Sequence, residues 1–218
     1  KETPDGGSEK TLIPSGTDYT VTGNDGGEQF VITLTEGYLN TITKDTTIVV
    51  TYTAKVGAGA ATGGAANVNT ATLKYGTEDA TTVTDTATTY LWDITIDKYD
   101  GSDTTKATKL AGAQFILLNS ENKVAKFNQD GTFNGWFNYA ANNIAPESIL
   151  TTDANGALTF KGVDSGSYNL VEVQAPTGYN KLANAVPVTV NPAVEGTNSS
   201  ITEQIANNAG VELPSTGG

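Results

Sequence analysis

Three polar residues lie on largely apolar strand faces in this chain, and their types could form a covalent bond: Lys98, Glu172 and Asn207. Residues 91–98 (LWDITIDK) alternate strictly, with Trp92, Ile94, Ile96 and Lys98 on one face and Asp93, Thr95 and Asp97 on the other. The first face is apolar except for Lys98, so it is the buried one and the lysine points inward. In 167–173 (SYNLVEV) the same parity groups Tyr168, Leu170 and Glu172; in 201–208 (ITEQIANN) it groups Ile201, Glu203, Ile205 and Asn207, with Asn208 facing away. Burial penalises charge, lowering the pKa of a lysine and raising that of a glutamate, so a neutral amine and a protonated carboxyl can coexist. Such an amine is a nucleophile toward a carboxamide, and the carboxyl can carry protons as ammonia leaves, which yields a Lys–Asn isopeptide bond. The same residues also read as a buried Lys98–Glu172 ion pair beside an ordinary turn asparagine, and parity alone does not separate the two.

The rest of the composition narrows the chemistry. Among 218 residues there is no Cys, His or Met, so disulfides, thiol nucleophiles, imidazole bases and the usual zinc sites are excluded. No metal or other cofactor is expected. With 12 Lys+Arg against 24 Asp+Glu the net charge is −12, which argues against nucleic acid or an anionic membrane as the main partner. No apolar run approaches a membrane span, and no basic-then-apolar leader precedes Lys1, so the expectation is a mature soluble piece. Asp97, Asp100 and Asp103 flank Gly101, but their spacing of three suits a solvated acidic turn better than a calcium loop.

These residues must be positioned by strands. Thr- and Val-rich segments broken by Gly and Asn predict an all-β protein of sandwich type. In the first part the expected strands are 18–22, 29–34, 46–54, 67–75 and 81–88, with a turn at 23–27 and a flexible Gly/Ala loop at 57–66. In the second they are 91–98, 113–118, 157–161, 167–173, 186–190 and 200–207, with turn signals at Asp130-Gly131, Asn155-Gly156 and Ser165-Gly166. The insertion 119–150, carrying Phe127, Phe133, Trp136, Phe137 and Tyr139, reads as an aromatic hairpin serving as local core, followed by a short helical turn from Pro146.

The second module resembles the collagen-adhesin B-type (CnaB) domains of Gram-positive surface proteins. The resemblance rests on 96–100 (IDKYD), 110–117 (LAGAQFIL), 152–162 through Tyr168 (TDANGALTFKG…GSY) and 170–179 (LVEVQAPTGY). The last stretch is similar to the family's E-box, which implies that Glu172 assists isopeptide formation between Lys98 and an asparagine near the end, Asn207 or its neighbour Asn208. The closing residues Leu213, Pro214, Ser215, Thr216 and Gly217 fit the sortase pattern LPxTG, which implies cleavage after Thr216 and transfer of its acyl group to an amine. The apolar span and basic tail that normally follow that pattern are absent, so truncation is expected there. The first module resembles the D2-type isopeptide domain of backbone pilins through 18–22 (DYTVT), 48–54 (IVVTYTA) and 69–75 (NTATLKY). That implies Asn69 as a second isopeptide acceptor, whose lysine and acid would lie on strands preceding residue 18.

The expectation is therefore tandem immunoglobulin-like (Cna-type) β-sandwiches: 1–90 a partial D2-type domain lacking its N-terminal strands, 91–212 a CnaB-type domain, and 213–218 a sorting-signal remnant. By resemblance the chain is a major, or backbone, pilin on the Gram-positive cell wall, and not an enzyme beyond its own single-turnover cross-linking. Its implied partners are other pilin subunits, joined through Thr216, and a pilus sortase. The alternative is a wall-anchored adhesin or minor pilin for which these domains are a stalk and a host or matrix ligand is the partner. A sugar-binding role for the 119–150 aromatics is a third reading with less support.

Overall fold

The computed structural model describes residues 1–4, 8–13, 16–23, 29–53, 59–76, 81–191 and 201–210. The sortase pentapeptide 213–217, the turn at 24–27 and the start of the Gly/Ala stretch at 57–58 lie outside the described residues. The chain divides into two compact units, Lys1–Ala54 and Lys55–Gly218, so the boundary expected near residue 90 falls inside the second.

In the first unit β1 (Glu2–Pro4), β2 (Tyr19–Gly23), β3 (Phe30–Leu34) and β4 (Thr46–Ile48) form two antiparallel pairs, β1 with β4 and β2 with β3. A one-turn helix α1 (Glu36–Leu39) starts where the Thr35 hydroxyl accepts from the Tyr38 N–H at 3.1 Å. The strand expected over 46–54 stops at Ile48, and Val49, Val50 and Tyr52 beyond it are exposed. Among the described residues this unit buries only Leu12 and Tyr38 as apolar side chains.

The second unit opens with a hairpin, β5 (Ala66–Tyr75) and β6 (Thr81–Tyr90), paired from Ala66↔Tyr90 to Tyr75↔Thr81. Its remaining strands are β7 (Trp92–Asp100), β8 (Gln114–Asn119), β9 (Lys123–Phe127), β10 (Phe133–Asn138), β11 (Leu150–Thr151), β12 (Ala157–Val163), β13 (Gly166–Gln174), β14 (Val186–Val190) and β15 (Ile201–Asn207). They make two sheets: β12-β7-β15, and β10-β9-β8-β13-β14 with β11 added on β8. Strictly alternating strands bury one face each, and two such faces close on one core, as in a sandwich. Ile94 and Ile96 from β7, Phe115 and Leu117 from β8, Phe160 from β12 and Leu170 from β13 are fully buried there. The Gly/Ala stretch is tied where it is described: the Asn67 carboxamide donates to Ala61 O and accepts from Ala61 N, both at 2.8 Å.

The aromatic insertion does more than form local core. β9 and β10 extend the larger sheet, and Phe127, Phe133 and Trp136 enter the main core, where Trp136 stacks on Tyr168 with centroids 5.7 Å apart. Phe137 faces the other way, exposed beneath the Lys126 ammonium, 4.6 Å from its ring centroid. The short helical turn is a 3-10 turn at Pro146–Ser148. Among the described residues no helix is long and apolar enough to cross a membrane.

Candidate functional site

The alternation of β7 continues unbroken to Lys98, which is 0% exposed, below Ile94 and Ile96. β15 runs parallel to β7 in the same sheet, with Ile205 beside Lys98 and Asn207 beside Asp100. Asn207 is buried and Asn208 exposed, the facing that strand parity predicts. Glu172 enters from β13, in the facing sheet, after Tyr168 and Leu170 on the same face. The three residues singled out by parity therefore meet in the core, two from one sheet and one from the other.

Their contacts are few and directional. Lys98 Nζ donates to Ile205 O at 3.0 Å and lies 4.0 Å from Glu172 Oε1, with both side chains fully inaccessible. Asn207 Nδ2 donates to Glu172 Oε2 at 2.9 Å and also to the Asn180 carbonyl. Glu172 Oε2 accepts in addition from Leu182 N at 2.7 Å. Two buried oxygens are left without a hydrogen-bond donor, Glu172 Oε1 and Asn207 Oδ1. Burial pushes the Lys98 ammonium down to about 8, while the Glu172 carboxylate works in the opposite direction. At pH 7 about a tenth of such an amine is neutral, against roughly one part in a few thousand for an ordinary lysine. The core thus holds a nucleophile, a carboxamide whose two N–H donors are both engaged, and a carboxylate touching one and facing the other.

Other expected sites are dispersed. Asn69 sits on the hairpin face that also carries Ala71, Leu73, Val83 and Ala87, but it is exposed and pairs across the ladder with Ala87. Asp85 lies diagonally from it, opposite Ala71, on the same face. The acidic turn spends each carboxylate separately: Asp97 on Lys109 at 2.6 Å, Asp100 on Ser102 and Tyr179, and Asp103 on Thr105 and Thr108. Among the described residues no three His, Cys, Asp or Glu side chains are grouped to hold a metal.

Sequence reading missed the backbone groups of the β13–β14 loop. The Asn180 carbonyl and the Leu182 N–H both reach the buried trio, and no residue type announces them because every residue carries such groups.

The second unit is a two-layer β-sandwich with an amine, a carboxylate and a carboxamide buried in its core. The family model described as SpaA, prealbumin-like fold domain, matches residues 92–204, and the chain belongs to that family. Among solved structures it is similar to the group B streptococcus pilus 2b backbone protein, with 29% identity over 98% of this chain and 79% of that one and a TM-score of 0.63. The shaft pilin SpaA of Lactobacillus rhamnosus GG overlaps in part, at 20% identity over 61% of this chain and 60% of that one, TM-score 0.43. No curated protein sequence matches. The fold is that of a Gram-positive pilin domain.

Proposed function

We propose that the chain is a structural subunit of a covalently polymerised pilus on a Gram-positive cell surface, stiffened by a Lys98–Asn207 isopeptide bond and joined to its neighbours by a sortase through Thr216. The observation that carries the cross-link is the buried trio, each residue no more than 2% exposed, with unpaired oxygens on both Glu172 and Asn207. A proton passes from the Lys98 ammonium to Glu172 Oε1, and the neutral amine attacks Asn207 Cγ. The C–Nδ2 bond breaks as one of the two remaining amine protons reaches Nδ2, and ammonia leaves. One lysine ammonium, one carboxylate and one carboxamide become one secondary amide, one ammonia and one protonated carboxyl, so no net charge is created in the core. Proximity in a folded core supplies the rate, with no external catalyst.

The family match and the likeness to a streptococcal backbone protein across nearly the whole chain support the pilus reading. The extracellular cell wall as location, and Leu213, Pro214, Ser215, Thr216 and Gly217 as the sortase site, rest on the resemblance of that pentapeptide. The module 91–212 is the unit that the bond closes. Asn69, with Asp85 on its face, is proposed as a second acceptor that reacts once another strand brings a lysine onto the hairpin. The deciding experiment for the first bond is intact-mass measurement of the purified chain. It is expected one ammonia lighter than its sequence, with Lys98→Ala at full mass and melting well below wild type. Full mass for the wild-type chain, or equal melting of the two, refutes the cross-link.

A further inference from the structure

The loop between β13 and β14 contributes two of the hydrogen bonds in the buried site, yet neither comes from a side chain. The Asn180 carbonyl accepts from Asn207 Nδ2, and the Leu182 N–H donates to Glu172 Oε2 at 2.7 Å. Together with the Glu172–Asn207 bond they engage both N–H groups of the carboxamide and turn its Oδ1 away unpaired. They also leave Glu172 Oε1, the oxygen nearest Lys98 Nζ, free. This loop decides which atom of the carboxamide faces a proton acceptor and which oxygen of the carboxylate faces the amine.

Backbone groups are aimed only as well as their loop is anchored. Here Tyr179 bridges to Ala209, with Asn180 N donating to Asn208 O at 2.9 Å and Gly210 N to Gly178 O at 2.8 Å. The Tyr179 hydroxyl donates to Asp100 Oδ2 at 2.9 Å, and the other oxygen of Asp100 accepts from Ser102 N and Oγ. Asp100 ends β7, two residues beyond Lys98, and Gly101 N donates to Asn207 O at 2.8 Å. One tyrosine therefore ties together the ends of the strand bearing the amine, the strand bearing the carboxamide and the loop following the strand bearing the carboxylate.

We infer that Tyr179 is a positioning residue for isopeptide formation, acting through its hydrogen bond to Asp100 to hold the Asn180 carbonyl and Leu182 N–H against Asn207 and Glu172. The inference rests on the cross-link reading above. Misplacement of reacting groups by about 1 Å costs on the order of 100-fold in rate, and loss of one of several anchors is expected to slow the reaction about 10-fold.

The test uses the full chain made by cell-free translation, quenched at intervals in acid and denaturant, with the loss of one ammonia followed by intact mass. Tyr179→Phe is expected to lose ammonia about 10-fold more slowly than wild type at a temperature where both are folded. Asp100→Ala, which also removes the Ser102 bonds, should slow it at least as much, and the double variant no further than Asp100→Ala alone, because both substitutions remove the Tyr179–Asp100 bond. Folding is read separately in a Lys98→Ala background, where no cross-link forms and Tyr179→Phe should still melt cooperatively. If Tyr179→Phe cross-links at the wild-type rate while lowering only the melting temperature, the residue is merely structural and the inference is overturned. Independent, multiplying effects of the two substitutions also overturn it. If wild type itself never loses ammonia, the cross-link reading fails and this inference with it, an outcome distinct from the other two.

Discussion

Replacing Glu172 with Gln separates two accounts of how the amine becomes reactive. Burial lowers the Lys98 pKa to about 8 and the Glu172 carboxylate opposes that shift, so removing the carboxylate drops the pKa further. At pH 7 the neutral fraction of the amine then rises above about a tenth. If a neutral amine were all the reaction needed, Glu172→Gln would cross-link faster than wild type. The geometry predicts the reverse. Glu172 is hydrogen-bonded to the leaving nitrogen at 2.9 Å and faces the amine at 4.0 Å, the only group placed to move protons between them among the described residues. Loss of such general acid–base action slows a reaction by roughly 10²–10⁴, which leaves the variant at full mass through a purification. A cross-link closing a loop of roughly 110 residues stabilises by about 4–5 kcal/mol if it acts on the unfolded chain as a disulfide does. At about 2–4 °C per kcal/mol for a unit of this size, Glu172→Gln should melt about 8–20 °C below wild type. Intact mass and calorimetry on the same samples read both effects. Ammonia loss by Glu172→Gln at or above the wild-type rate would show that the carboxylate is not the proton carrier.

Two further outcomes follow from the same core. In Asn207→Ala, which cannot cross-link, Lys98 binds protons less readily folded than unfolded, so stability should rise as pH climbs from about 8 to 10.5, by about 3 kcal/mol. Urea unfolding across that window, referenced to Lys98→Ala/Asn207→Ala, should show the rise, and a flat difference would mean that Lys98 keeps an ordinary pKa. Gly156 has φ +71°, and a Cβ there would run into the Lys98 carbonyl. Gly156→Ala should cost about 1–3 kcal/mol in urea unfolding of the Asn207→Ala background and should delay ammonia loss in the otherwise wild-type chain, whereas unchanged stability would place Gly156 outside the support of the site.

The buried trio was legible because β7, β13 and β15 each run at least seven residues of near-regular alternation, long enough for parity to survive an error of a residue at either end. Parity also picked Asn207 over Asn208, as the burial does. It failed where the ladder is irregular. The register of β10 against β9 shifts between Phe133 and Gly135, so alternation could not tell that Trp136 faces the core while Phe137 faces out. Residues 46–54 have strand-forming side chains, but the ladder with β1 runs from Pro4↔Thr46 to Glu2↔Ile48 and closes with backbone bonds between Val49 and Lys1, where the partner strand reaches the first residue of the sequence, and propensity alone does not extend a ladder. The contributions of Asn180 and Leu182 depend on main-chain direction in a loop, which side-chain identity does not encode.

The parallel pairing of β7 and β15 has a consequence for a fibre under tension. With the proposed Lys98–Asn207 bond in place, a pull entering at Trp92 would travel the length of β7 to Lys98, cross to Asn207 and leave at that same end of the sheet. The segment it loads is already extended strand, with almost no slack to give up. The residues between the two attachment points, which would pay out roughly 370 Å if drawn straight, lie off that path. A module so bonded would be close to inextensible: it would transmit load as a taut strap, and its sandwich would have only to keep the strap dry.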